Sequence, residues 1–308
     1  IEDNSIYIGN DPSSTTNEAQ YNLAFGTTAL DAVTTGDENV AVGYNALSAN
    51  TIGYKNVAVG NHALNANTEG MENVAISGFT SLYTNTTGSQ NIAIGAASLY
   101  NNETGNYNIA IGRASLYGNT ASYNVGIGHE SLKSNTTGTN NVGVGYNSLT
   151  NNTTANQNTA VGHNSLRANT TGAYNTAFGF HTLYGNQTGQ YNTALGENSM
   201  SGSNTGSYNT AVGSRSLYDN AGGAQNVASG YQSMFSNTTG SNNTSLGYKA
   251  GDVITTGSNN VVIGHNVDPS AEGATNQIVI GTGATGQADN SVVLGNADVT
   301  AVYASQDA

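Results

Sequence analysis

The 308-residue chain has no cysteine and no tryptophan, two prolines, and only six lysines and arginines. Without cysteine there is no disulfide framework, no Cys-ligated zinc and no thiol chemistry. Only 8% of residues are charged, against roughly a quarter in an ordinary globular domain. The net charge of −13 and scattered cations exclude an electrostatic footprint on nucleic acid or an anionic membrane. No apolar run approaches the ~18–20 residues of a membrane span. No signal-peptide pattern is visible, and Ile1 opens in what reads as structured sequence, so the chain reads as trimmed. What it has in abundance is glycine, 40 residues, with asparagine and threonine. Outside a repeat that composition would suggest disorder.

The chain is, however, one repeat. The block Asn-Val-Ala-Val-Gly at 39–43 returns at 56–60, and as Asn-Thr-Ala-(Val/Phe/Leu)-Gly at 158–162, 175–179, 192–196 and 209–213. Block glycines from Gly9 to Gly295 define 18 blocks, and 14 of the 17 intervals are 17 residues long. One interval is 18, where Ser77 is inserted; one is 16, near Ser122; the last is 14. Within each unit the strand block alternates faces with period two, and Leu or Met (Leu47, Leu64, Leu99, Met200, Met234) follows four residues after the glycine. Glycine recurs too often, and the apolar period is wrong, for helix. The expectation is an all-β parallel solenoid or β-roll of about 18 coils, two short strands per coil. Coils stacked about 4.8 Å apart would give a rod on the order of 85 Å. The turn glycines, such as Gly36, Gly53, Gly105, Gly172 and Gly240, are expected to supply positive φ. Residues 1–281 read as shaft and 282–308 as a C-terminal transition segment.

Stacking turns equivalent positions into columns. Asn39, Asn56, Asn158, Asn175, Asn192 and Asn209 belong to an asparagine column read as a structural ladder of stacked amides. A second column (Asn50, Asn67, Asn135, Asn169) runs through the turn. A carbohydrate- or ice-binding role for these Asn/Thr rows is the alternative. Ice binding requires an unbroken Thr array, which Glu69, Glu103, Ala121 and Gln187 interrupt. The residues just before the glycine (Val42, Val59, Ile94, Phe178, Leu195) are the largest apolar column and are assigned to the interior. The small Ala column (Ala41, Ala58, Ala160, Ala177, Ala194, Ala211) is then left as a flat stripe suited to close approach of another chain. So few interior side chains per coil leave a lone chain under-buried, and the expectation is a homotrimer wound about a common axis. Tyr107, Tyr123, Tyr174, Tyr191 and Tyr208 precede the Asn column and are candidate glycan contacts, with coverage of coil edges as the alternative.

Catalytic constellations are not found. The five histidines lie one or two residues after the block glycine with no HExxH spacing. Carboxylates cluster toward the ends, and between 73 and 250 no two occupy one column on neighbouring coils, so a glycosidase pair would need two chains. No P-loop or Ca²⁺-binding nonapeptide occurs. No enzyme, cofactor or metal is expected.

The coils with Asn-Thr-Ala-Val-Gly and Leu-x-x-Asn-Thr-Thr-Gly resemble the repeats of tail-fibre-domain proteins of phages and environmental bacteria. With a longer coil they are also similar to the head repeats of trimeric autotransporter adhesins, which form left-handed parallel β-roll trimers. The stretch 289–303 looks like the segment leading into an endosialidase-type intramolecular chaperone. The resemblance covers about 4–308 and implies an extracellular or virion-surface fibre: a structural shaft or, alternatively, a glycan-binding adhesin rod. Its implied partners are itself as a homotrimer, a host cell-surface glycan or protein, and a fibre-base protein or head-to-tail fibre neighbours. A defined glycan needs a few non-repeating coils, and the candidates are the two ends and the coils at 77–128, where the period slips.

Overall fold

The computed structural model describes residues 5–9 and 18–302. Residues 303–308 of the transition segment, like Glu2, Asp3 and Asp11, lie outside the described residues. The chain divides into two compact units, Ile1–His163 and Asn164–Ala308. Each is an all-β parallel solenoid of about 17-residue coils. Among the described residues the first unit carries ten strands, from Ile6–Gly9 to Thr159–Val161, and the second eight, from Thr176–Phe178 to Val292–Leu294.

Each coil has one short strand, not two. The strand is the block itself, typically three residues such as Val40–Val42, and it pairs in parallel with the next coil in strict column register: Val40↔Val57, Ala41↔Ala58, Val42↔Val59. The Leu segment is a turn, and the reason is its backbone. Leu47, Leu64, Leu116, Leu149 and Leu183 all have φ between 51° and 52°, the left-handed region, which no strand residue can occupy. The residue two before each of them is also left-handed, as at Asn45, His62 and Asn147. The chain therefore turns at every second residue here and throws the Leu side chain into the coil, where it is fully buried.

The glycines divide the labour differently from the sequence expectation. The turn glycines Gly36, Gly53, Gly105, Gly172 and Gly240 are not left-handed; positive φ belongs to the block glycines, for instance Gly43 at 131° and Gly145 at 134°. The turn glycines are needed for close approach. A Cβ on Gly53 would stand 2.4 Å from both Asn50 Oδ1 and the Gly70 carbonyl. Crowding arises because three consecutive amides, Thr51, Ile52 and Gly53, converge on the single carbonyl of Thr68 in the next coil (3.0–3.2 Å).

The core is Ala, Leu, Asn and Ser. Ala41, Ala58, Ala160, Ala177, Ala194 and Ala211 are fully buried within their own chain, which overturns their assignment as an inter-chain stripe. The pre-glycine column, assigned to the interior, lies outward: Ile94 is 36% exposed, Phe178 40% and Leu195 50%. A coil of 17 residues is too narrow for a branched side chain at the strand centre opposite Leu. Where Gly replaces Ala, at Gly126 and Gly143, even a Cβ would meet Ser115 Oγ at 2.6 Å or Ser131 Oγ at 2.7 Å.

Two irregular coils absorb their length change off the strand centre. In the 16-residue coil the turn is one residue shorter, and Asn119 Nδ2 donates to Ala121 O at 2.8 Å, two residues on, where its equivalents reach three, as Asn135 does to Gly138. In the 18-residue coil the strand Val74–Phe79 bulges: Val59↔Ile76 is followed by Asn61↔Phe79, so Ser77 and Gly78 oppose Gly60 alone.

Candidate binding surfaces

The asparagine columns lie inside the coils. Asn39 accepts at Oδ1 from the backbone amide of Asn56 (3.0 Å) and donates from Nδ2 to Gly53 O (2.9 Å). Asn192 and Asn209 repeat the pattern: Asn192 accepts from the Asn209 amide at 3.0 Å and donates to Gly206 O at 2.9 Å. Asn175 accepts from the Asn192 amide at 3.0 Å, and the Asn158 amide donates to Asn141 Oδ1 at 3.0 Å. The strongest rungs run from amide oxygen to backbone N–H, with amide–amide contacts alongside, such as Asn209 to Asn192 at 3.2 Å. The turn column stacks directly, Asn67 Nδ2 donating to Asn50 Oδ1 at 2.7 Å. All of these side chains are fully buried. Polar groups this deep must be paired, and here they fasten strand to turn and coil to coil, out of reach of a ligand.

What faces solvent is the first and third residue of each strand, and the aromatic columns. Tyr107 stacks on Tyr123 with centroids 5.1 Å apart and planes 6° apart. Tyr174, Tyr191 and Tyr208 form a second stack at 4.6 and 5.0 Å. These rings are 44–60% exposed; the faces inside each stack are covered, and only Tyr191 has a neighbouring ring on both faces. A third set runs Tyr83–Tyr100–Tyr117 at 5.2 Å spacing. The histidines join such stacks: Tyr146 lies between His129 (5.2 Å) and His163 (5.0 Å), and His265 stacks on Tyr248. The coil spacing places equivalent rings at stacking distance, so the sequence column alone suffices to find them.

Charge is sparse. Lys133 Nζ donates to Glu130 Oε1 at 2.9 Å, and this hydrogen bond holds the Glu130 carboxyl below its ordinary range. Burial pushes the Asp219 carboxyl up. Asp268 is pushed up to about 6, by burial first and then by the neighbouring Asp252 carboxylate. The two residues sit at different offsets from their block glycines, so no column count brings them together. No group of three His, Asp or Glu able to hold a metal occurs among the described residues, and no helix there is long and apolar enough to cross a membrane.

No protein-family model matches the chain, and no curated protein is similar to it in sequence.

Proposed function

We propose that the chain is the shaft of a homotrimeric fibre, exposed outside a cell or on a virion, that presents or forms an attachment element. The observation that carries this is the outward strand face. In most coils it offers two apolar residues, as in Ile92 and Ile94, Ile109 and Ile111, or Ile278 and Ile280, and in the coils from Thr159 to Leu246 one beside a Thr or Ser; several are more than a third exposed. Soluble proteins seldom leave a long apolar strip to water. A second and third copy in parallel register would cover it column on column. The trimeric count rests on the resemblance to tail-fibre and adhesin-head repeats, and the role is mechanical rather than catalytic. A host-surface ligand, a fibre-base protein and head-to-tail neighbours are the partners such a shaft would meet.

The test is the solution mass. Light scattering on the purified protein is expected to give three times the 31.3 kDa of one chain. Ile94→Lys together with Ile111→Lys is expected to yield folded monomer, since neither side chain belongs to the coil core. A folded, monodisperse wild-type monomer at micromolar concentration would refute the proposal.

A further inference from the structure

One of the breaks in the repeat, the 18-residue coil, has a shape. The bulge at Ser77–Gly78 pushes Phe79 outward to 61% exposure, and bulges commonly re-aim a side chain beside a binding site. The next two coils carry Ala96-Ala97 and Arg113-Ala114 after the block glycine, so that no aromatic ring stands where other coils carry Tyr44-Asn45, Tyr146-Asn147 or Phe180-His181. The missing bulk opens a cavity of about 590 Å³, within the range of small-ligand sites. Phe79 stands at one end, Ala97 and Ala114 form the floor, and Tyr100 and Tyr117 line one side. Arg113 borders it from the same coil as Ala114, and Glu130 and Lys133 stand at the far end, one coil on. From Phe79 to Lys133 the groove crosses four coils, about 14 Å at about 4.8 Å per coil. A smaller cavity of about 220 Å³, bordered by His62 and Tyr83, continues it past Phe79.

The chemistry of this groove is specific. Two of the chain's six basic side chains, Arg113 and Lys133, meet here in a molecule of net charge −13. Arg113 Nη1 donates to His129 Nε2 at 3.2 Å, which uses one of its five N–H donors. Lys133 is shared with Glu130. Thr80, the tyrosine hydroxyls and Glu130 add polar groups able to meet hydroxyls, while Phe79 supplies a flat apolar face. Ring face, small floor, hydroxyl partners and two cations together match a sugar that carries an acid group.

We propose that this groove binds a short carboxylate-bearing oligosaccharide, with a pyranose ring against Phe79 and the carboxylate at Arg113 and Lys133. The site lies within one chain, and its one strand residue, Phe79, stands past the bulge and outside the columns of first and third strand residues proposed to be covered, so it stands independently of trimer formation. Glu130 orients Lys133 and accepts a sugar hydroxyl.

The test is calorimetric titration of the whole chain with trigalacturonate and a hyaluronan tetrasaccharide, against neutral maltotriose. At least one acidic probe is expected to bind saturably, about tenfold or more tighter than maltotriose, because a charge-assisted pair to Arg is lost in the neutral sugar. Phe79→Ala and Arg113→Gln, both at exposed side chains, are each expected to weaken binding about tenfold. Ala97→Asn with Ala114→Asn is expected to abolish it by filling the floor. Asn suits those positions, since Asn45 and Asn147 hold φ of 55° and 54° where Ala97 and Ala114 hold 57° and 54°. Absence of saturable binding by both acidic probes, equal binding of maltotriose, or binding that survives the filled floor with unchanged melting temperature would overturn the proposal.

Discussion

At the scale of single residues, backbone handedness decides more than hydrophobicity. The core column four after the block glycine accepts Leu and Met and no Val or Ile between Leu47 and Met234. The reason is φ near +50° at each of these positions, where a β-branched side chain collides with its own backbone. Where the chain gives up the Leu, at Gly251, glycine keeps φ at 61° and Ile254, fully buried, fills the space from a residue outside the left-handed region. Leu149→Ile, a change of shape without change of volume, is therefore expected to destabilise by about 1–3 kcal/mol. Leu149→Met should cost under about 1.5 kcal/mol. Urea titration of the two variants checks the order; an Ile variant as stable as the Met variant would contradict the backbone argument. The Leu column itself was legible in the sequence, as were the two Asn columns. The sign of φ was not, because a 17-residue period states which residues stack and is silent on which way the chain turns between them. That is why the left-handed φ was assigned to turn glycines such as Gly53 when it belongs to Gly43, Asn45 and Leu47.

At the scale of the strand, period two identifies two faces without saying which is inside. The pattern Val40-Ala41-Val42 suits either choice, and size favours turning the valines inward. The opposite arrangement holds because the interior is already occupied by Leu47, Asn39 and Asn50 from the same coil, all fully buried. The space left at the strand centre takes Ala, Ser or Gly along most of the chain, and Val262 or Val279 only near the C-terminal end. There the coils change content, and a half-buried carboxyl, Asp268, appears beside Asp252. Asp268 ordinarily ionises near 3.8 and is raised to about 6 by burial and then by Asp252. Between those values the folded chain holds a proton that the unfolded chain has released, so its contribution to stability is present at low pH and is lost as pH rises through about 6. Asp268→Asn keeps the shape and removes the charge. It is expected to be more stable than wild type near pH 7 and to remove the decline in stability between about pH 4 and about pH 7 that this carboxyl causes. Chemical denaturation across that range checks it. A wild-type slope of opposite sign, or one unchanged in the variant, would show that Asp268 ionises normally. Burial and a neighbour at a different column offset are tertiary facts, which a column count cannot supply.

At the scale of the molecule, a solenoid is a one-dimensional stack in which each coil is stabilised by its neighbours. Length may therefore change by whole coils or within turns, and the strand centre must keep its register, because a one-residue slip there exchanges the faces. The chain already uses this freedom: the 16-residue coil shortens its turn at Asn119–Ala121 and leaves Ile109↔Val125 and Ile111↔Ile127 in register. The groove proposed above depends on the complementary case, an insertion beside the strand that displaces Phe79 without disturbing Val74↔Ile92. Three deletions in the first unit separate these effects. Removing 141–157, one full period, rejoins Asn140 to Asn158 with every column intact. Removing Thr154 alone reproduces the short turn, Asn-Thr-Ala, at an exposed position. Removing Gly143 alone drives Val144 toward Ser131 Oγ, where even a Cβ on Gly143 would come within 2.7 Å. The first two are expected to stay folded, the Thr154 deletion at a cost of about 1 kcal/mol, the typical cost of a single mutation. The Gly143 deletion is expected to lose cooperative melting of that region, since overpacking adds to the exchanged faces. Circular dichroism melts and hydrogen exchange over 125–161 read the difference. Equal stability of the Thr154 and Gly143 deletions would mean that the narrow Ala/Gly channel does not set the register of the stack.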